Sequence, residues 1–230
     1  MKKLVVLSGA GISEESGIAT FRGSNGLWEN HKIEDVASPA GWMKNPELVL
    51  EFYNQRRKTV LESEPNKAHR LLAELEKHLE VTIITQNIDN LHERAGSSHV
   101  LHLHGEITKS RSSAYHDMIF DIVGWQLNMG EKCPLGSQLR PHIVWFGEAV
   151  PMMEDAIETV KTADVFVVVG TGLQVYPAAS LIDYIPEHAT RYLIDPNNVF
   201  VPKYYRFNFI KAKASEGVQI LVKDITGNNT

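Results

Sequence analysis

The chain has 230 residues, 43% of them hydrophobic and 22% charged, with a formal charge of −5 at pH 7. That length and apolar content can bury a substantial core, while the mild acidity excludes the electrostatic footprint of a nucleic-acid or anionic-membrane binder. Its apolar runs are far shorter than a bilayer span, and its single cysteine, Cys133, excludes an internal disulfide framework. With no secretory h-region or cleavage site after the first residues, a cytoplasmic protein is expected.

Leu4-Val5-Val6-Leu7 reads as a buried strand, and Ser8-Gly9-Ala10-Gly11-Ile12-Ser13 follows at once. A strand feeding a Gly-x-Gly turn and then a helix can hold a pyrophosphate on bare backbone N–H groups. The third glycine of the usual dinucleotide fingerprint is missing, because Glu14 stands there. Gly17-Ile18-Ala19-Thr20-Phe21-Arg22-Gly23 then sets an aromatic and an arginine beyond the loop, or equally a core phenylalanine and a surface ion pair.

Residues 27–63 leave the strand–helix rhythm. Trp28, Val36, Trp42, Leu48, Val49, Phe52 and Tyr53 are spaced as in short helices, with Pro39 and Pro46 at expected helix starts. Tyr53 and Arg56, three apart, share a helix face. A hydroxyl beside a guanidinium can receive a carboxylate, although a packed tyrosine next to an exposed arginine has the same spacing. Pro65-Asn66-Lys67-Ala68-His69 opens an amphipathic helix with Leu71, Leu72 and Leu75 facing inward.

Val81-Thr82-Ile83-Ile84 is the next buried strand. Thr85-Gln86-Asn87-Ile88-Asp89-Asn90 then brings amides and a carboxylate to the sheet edge where open α/β sheets bind ligands. Taken singly, such residues are also ordinary turn formers and caps. Residues 100–104 alternate, so His102 and His104 share a face before Gly105 and Glu106. That pair fits a hydrogen-bonded structural role, or a metal pair serving a hydrolase. Further on, Val165-Phe166-Val167-Val168-Val169 runs into Gly170-Thr171-Gly172, and Tyr192-Leu193-Ile194-Asp195 is a strand followed by Pro196 and Asn197. The Asn/Gly-rich end after Asp224 is expected to fray.

Gly9-Ala10-Gly11-Ile12-Ser13, Gly17-Ile18 with Phe21-Arg22, Gln86-Asn87-Ile88-Asp89 and His104-Gly105-Glu106 resemble, in order, the signature motifs of the sirtuins, the NAD-dependent protein lysine deacylases. The resemblance spans nearly the whole chain and is nearest to short bacterial members that also remove acidic acyl groups. It implies a Rossmann-like, doubly wound parallel α/β sheet with a helical insertion and a small metal-free module. The expected division of one catalytic domain is 1–27, 64–107 and 141–230 for the nucleotide-binding part, 28–63 for the helical module and 108–140 for the small module.

The resemblance also implies roles. His104 would be the general base. Gly9, Ala10, Gly11, Ile12, Phe21, Arg22, Gln86, Asn87, Ile88, Asp89, Gly170, Thr171, Asp195, Pro196 and Asn197 would hold NAD, with residues 214–217 closing the adenine pocket. Acyl-lysine side chains of proteins would be held by Ala37, Tyr53, Arg56, Val144, Phe146, Gly147 and Glu148, with Tyr53 and Arg56 on a distal acyl carboxylate. Two departures stand out. Gly172 replaces the serine of the family's Gly-Thr-Ser loop, and Asp195 its usual asparagine. The two Cys-x-x-Cys pairs of most sirtuins are also absent, so no zinc is expected, and Ile119, Phe120, Ile122, Trp125 and Leu127 are expected to form an apolar cluster in its place. A non-catalytic NAD or ADP-ribose sensor on the same fold is the alternative.

Overall fold

In this computed structural model, residues 1–20, 27–28 and 31–227 are described. The first strand, β1 (Lys3–Ser8), is buried along almost its whole length. The expected helix after it does not form. Two short 3₁₀ turns, Ala10–Ile12 and Glu14–Ser16, run instead into Gly17 at φ +87°, a left-handed conformation that suits glycine and ends the turn. The strand pair β2 (Leu27–Trp28) and β3 (His31–Lys32) leads into α1 (Ile33–Val36), α2 (Pro39–Lys44) and α3 (Pro46–Glu62). Both prolines stand at helix starts, where their missing N–H costs nothing. Ser38 and Asn45 cap the helices by accepting from the Gly41 and Leu48 N–H groups.

The chain continues through α4 (Lys67–Glu74), β4 (Glu80–Thr85), α5 (Leu91–Ala95) and β5 (Val100–His102). A separate antiparallel sheet follows, made of β6 (Gly105–Ser112), β7 (Ile119–Asp121) and β8 (Leu139–Ile143) in the order β7-β6-β8. Then come α6 (Met153–Val160), β9 (Val165–Val169), β10 (Thr190–Ile194), β11 (Asn208–Ile210) and α7 (Ala214–Thr226). The last helix runs past Asp224 to Thr226 and stops on Gly227 at φ +68°, while residues 228–230 of the end expected to fray lie outside the described residues.

The main sheet has six parallel strands in the order β11-β10-β9-β1-β4-β5. β1 lies between β4, reached first, and β9, reached much later on the other side. Its carboxyl end is therefore the point where the strand order reverses, which is where such sheets form a ligand crevice. Alternate residues feed opposite faces. Leu4, Val6, Ile83 and Val167 pack with Leu72 of α4 and Val218 and Leu221 of α7. Val5, Leu7, Ile84 and Val168 pack with Ala156 and Val160 of α6 and with Leu181. Among the described residues, no helix is long and apolar enough to cross a membrane.

A third core joins the helical insertion to the small sheet, with Val49, Phe52 and Tyr53 of α3 against Ile107, Ile143 and Trp145. The apolar cluster expected within the small module is not there. Of its five residues only Leu127 is buried, and Ile119 is 44% exposed. Polar groups of α3 make the connection instead. Asn54 exchanges two hydrogen bonds with the Leu127 backbone, at 2.9 and 3.1 Å, and the fully buried Arg57 donates to the Ile107 and Trp125 carbonyls. The segment is too polar to make a core of its own, and buried carbonyls need donors.

Under the sheet, His69 completes the cap of α4. Its Nδ1 accepts from the Asn66 N–H at 3.3 Å, and its ring meets His92 edge-on at 4.9 Å. Burial holds His69 down to about 4 and His92 well below the usual imidazole range. The folded chain keeps both rings neutral, whereas the unfolded chain protonates them below about 6.5. Their share of stability is therefore complete above that pH and is lost as pH falls towards 4. His69→Gln keeps the capping acceptor and removes the titration. Urea unfolding between pH 7 and pH 5 should show the variant's deficit closing as pH falls, by at most about 1.4 kcal/mol per pH unit. Parallel stability curves would show that His69 does not carry this pH dependence.

Candidate active site

The loops that end β1 and β9 press together at the switch point. A Cβ on Gly9 would stand 2.6 Å from Cβ of Thr171, and one on Gly11 would stand 2.8 Å from Cα of Gly170. Gly9 N–H donates to the Val169 carbonyl and Gly11 N–H to the Gly170 carbonyl, which fixes the contact. Glycine is required here first for the approach of backbone to backbone.

The residues after β4 are braced onto this pair of loops. Asn87 donates through Nδ2 to the Gly9 carbonyl at 3.3 Å and to Ser13 Oγ at 3.2 Å. Ser13 Oγ donates in turn to Asp89 at 3.0 Å, and Asp89 also accepts the Leu91 N–H. Burial pushes the Asp89 carboxyl above its usual range, against these bonds. Underneath, Ser8 Oγ donates to Thr85 Oγ1, which accepts the Asn87 N–H. Gln86 Nε2 is buried and has no hydrogen-bond partner among the described residues.

His104 stands opposite. Its Nδ1 lies 3.0 Å from the Gln86 carbonyl. A carbonyl only accepts, so Nδ1 carries the hydrogen and Nε2 keeps its lone pair. Burial lowers the imidazole below its ordinary value, and the bond to Gln86 opposes this only in part. His102 behaves differently. One ring nitrogen is 3.0 Å from the Asn87 carbonyl and the other 2.7 Å from the Glu93 carboxylate. Burial disfavours its charge, yet Glu93 raises it above the ordinary imidazole value. His102 thus braces Asn87 from behind. Among the described residues, no group of three or more His, Cys, Asp or Glu is placed to hold a metal ion.

The far wall comes from the helical insertion and residues 144–148. Gly105, at φ +83°, lets β6 pass β8 where a Cβ would meet the His142 carbonyl at 2.0 Å. Phe146 N–H donates to the Ala37 carbonyl at 3.0 Å. Glu148 accepts from Arg111, from Arg140 and from the Trp145 N–H, so its carboxylate shapes this segment, and Gly147 takes the turn at φ +90°. Tyr53 is fully buried, and its hydroxyl accepts from Trp145 Nε1 at 3.1 Å. The Arg56 guanidinium lies 4.3 Å from the centre of the Trp28 ring.

One cavity of about 600 Å³ joins these walls. Gly9, Ala10, Gly11, Gln86, Asn87, Ile88, Asp89, His104, Gly170, Thr171, Asp195, Pro196 and Asn197 line it together with Ala37, Tyr53, Arg56, Val144, Phe146, Gly147 and Glu148. Ile12 does not, because its side chain is buried in the core beneath the sheet. Phe21 and Arg22 lie outside the described residues. Residues that the sequence reading does not place at the site also line it, among them Trp28, Val60, Trp145 and residues 174–177. Trp28 is spaced as in a short helix but sits on β2, and residues 174–177 follow a glycine loop with no patterned element to mark them.

A model of the Sir2 family matches residues 9–177. The chain belongs to the Sir2 family. Over 226 residues it is 53% identical to an NAD-dependent protein deacylase of Bacteroides thetaiotaomicron, covering 96% of this chain and 97% of that one. It is 57% identical over 207 residues to an NAD-dependent protein deacylase of Helicobacter pylori, covering 88% and 89%. The crystal structure of a Sir2 homologue–NAD complex superposes with a TM-score of 0.88 at 39% identity, over 98% of this chain and 90% of that one.

His102, at the end of β5, and His104, in the bend before β6, should part company in solution in this Sir2 chain. An NMR titration should place His104 below the ordinary imidazole value of 6.5 and His102 above it, the His104 resonance being assigned with His104→Asn. The reverse order would mean that the Gln86 and Glu93 contacts are not as described.

Proposed function

We infer that this chain is an NAD-dependent protein lysine deacylase, and we propose that it removes succinyl and malonyl groups as well as acetyl. The observation that carries the proposal is that Tyr53 and Arg56 line the same cavity as His104 and the paired glycine loops. Two positively polarised groups, a phenol proton and a guanidinium, suit an acyl chain that ends in a carboxylate.

The cavity's own chemistry fits NAD. Gln86 Nε2 is a buried donor with no partner among the described residues, a cradle of close-packed glycines lies beside it, and the Asp195 carboxylate ends β10. When bound, NAD supplies the nicotinamide that leaves and the ribose that carries the acyl group away as O-acyl-ADP-ribose. We assign Asn87 and Asp89 to the nicotinamide amide, Gln86 to the adjoining ribose, and Gly9, Ala10, Gly11, Gly170 and Thr171 to the phosphates. We assign Asp195, with Pro196 and Asn197, to the adenosine ribose, where a carboxylate accepts from hydroxyls and repels a 2′-phosphate.

His104 is assigned the proton. With Nδ1–H held by the Gln86 carbonyl, Nε2 can take a proton from a ribose hydroxyl, and burial keeps the ring neutral and ready at pH 7. We assign Val144 and Phe146 to the sides of the acyl-lysine side chain, and the peptide to a place between two enzyme segments, of which 140–148 is one, read mainly through its backbone. We propose that no zinc is needed, since Asn54 and Arg57 tie the small sheet to α3. One cysteine in 230 residues suits a reducing, cytoplasmic setting.

The test is turnover of two peptides that differ only in carrying succinyl-lysine or acetyl-lysine. In Arg56→Met, kcat/KM for the succinyl peptide should fall about 10- to 100-fold, the scale of a lost charge-assisted hydrogen bond, and the acetyl peptide should lose far less. Equal losses on both peptides would remove the carboxylate receptor from the account.

A further inference from the structure

Tyr53 is placed by more than its helix. Its phenol oxygen accepts the Trp145 Nε1 hydrogen at 3.1 Å, with Tyr53 fully buried and Trp145 2% exposed. A phenol has one proton of its own, and among the described residues no acceptor takes it. The ring is locked edge-on against Phe52 at 5.1 Å and Trp28 at 6.3 Å, so the hydroxyl cannot swing to another partner. With one side of the oxygen occupied by the indole N–H, the O–H bond is turned towards the other side, and Tyr53 lines the cavity. Burial also raises the phenol well above its usual range, so it stays a neutral donor at any working pH.

Trp145 is itself fixed from several directions. The Arg140 guanidinium lies 3.3 Å from its ring centroid, Trp42 packs at 5.8 Å, and its backbone N–H donates to Glu148 at 2.8 Å. Glu148 grips Arg140 at 2.7 Å, which closes a buried chain from Glu148 through Arg140 and Trp145 to the Tyr53 hydroxyl.

We infer that Trp145 is a positioning residue for acyl specificity, whose indole N–H holds the Tyr53 hydroxyl so that its proton points at the distal carboxylate of an acidic acyl-lysine. The inference rests on the carboxylate-receptor reading of Tyr53 and Arg56. Trp145 lines the cavity beside Val144 and Phe146, and it differs from them in acting through the hydroxyl that its indole N–H holds.

Trp145→Phe removes the N–H and leaves an aromatic ring for Arg140 and Trp42 to pack on. The readout is the ratio of kcat/KM for succinyl-lysine to that for acetyl-lysine peptide, measured in wild type, Trp145→Phe, Tyr53→Phe and the double variant. Tyr53→Phe should lower the ratio about tenfold, as loss of a hydrogen bond to a charged group does. Trp145→Phe should lower it about three- to tenfold, mostly through KM of the succinyl peptide. The double variant should match Tyr53→Phe alone, because Trp145 acts through a hydroxyl no longer present. An unchanged ratio in Tyr53→Phe would overturn the receptor reading and this inference with it. A lowered ratio in Tyr53→Phe but not in Trp145→Phe would overturn the inference alone. So would a Trp145→Phe loss that falls equally on both peptides, or that adds to the Tyr53→Phe effect.

Discussion

At the carboxyl end of β1, two loops pass so closely that a single methyl group on Gly9 or Gly11 would collide with Gly170 or Thr171. The rest of the site is built on this contact. It sets where the loop after β1 lies, and that loop offers the Gly9 carbonyl and Ser13 hydroxyl to which Asn87 is braced. Asp89 is held by the same Ser13 hydroxyl. Gln86, the residue before Asn87, presents the carbonyl that sets the tautomer of His104. A larger residue in the glycine turn would therefore disturb His104 through backbone and hydrogen bonds, without approaching it.

The opposite wall depends on a different kind of packing. The helical insertion and the small sheet share one core, and residues 144–148 cross between them, tied to Ala37 by a backbone hydrogen bond. Buried ionic groups hold that segment in shape, with Glu148 gripped by Arg111 and Arg140. Such a cluster is costly to desolvate and destabilising to break by halves, and its worth lies in fixing one geometry. Arg57 and Asn54 do the same for the small sheet, by satisfying backbone carbonyls that a polar segment could not cover with apolar side chains.

Much of this could be read in the sequence, for physical reasons that also explain the failures. Short β-branched apolar runs such as Val165-Phe166-Val167-Val168-Val169 favour buried strands, and the polar residues after them then fall at the sheet's edge. Pro39, Pro46 and Asn66 marked helix starts because their chemistry is local. What could not be read was set by distant neighbours. The turns at Ala10–Ile12 and Glu14–Ser16 replace a helix because Gly170 crowds the loop and Asn66 bonds the Ile12 carbonyl and the Ser16 hydroxyl. Ile12 looks like part of a binding motif but belongs to the core. The small module needs no apolar cluster of its own because Arg57 and Asn54, on a helix far back in the chain, reach it, and nothing local in the sequence marks that reach.

On the proposed function, one cavity brings an acyl-lysine, NAD and His104 together so that ribose receives the acyl group. The direct measurement is mass spectrometry of the products formed from a succinyl-lysine peptide and NAD. Nicotinamide and succinyl-ADP-ribose should accumulate one for one with free lysine. Free succinate released while NAD stays intact would contradict the account and make the protein a hydrolase of another kind.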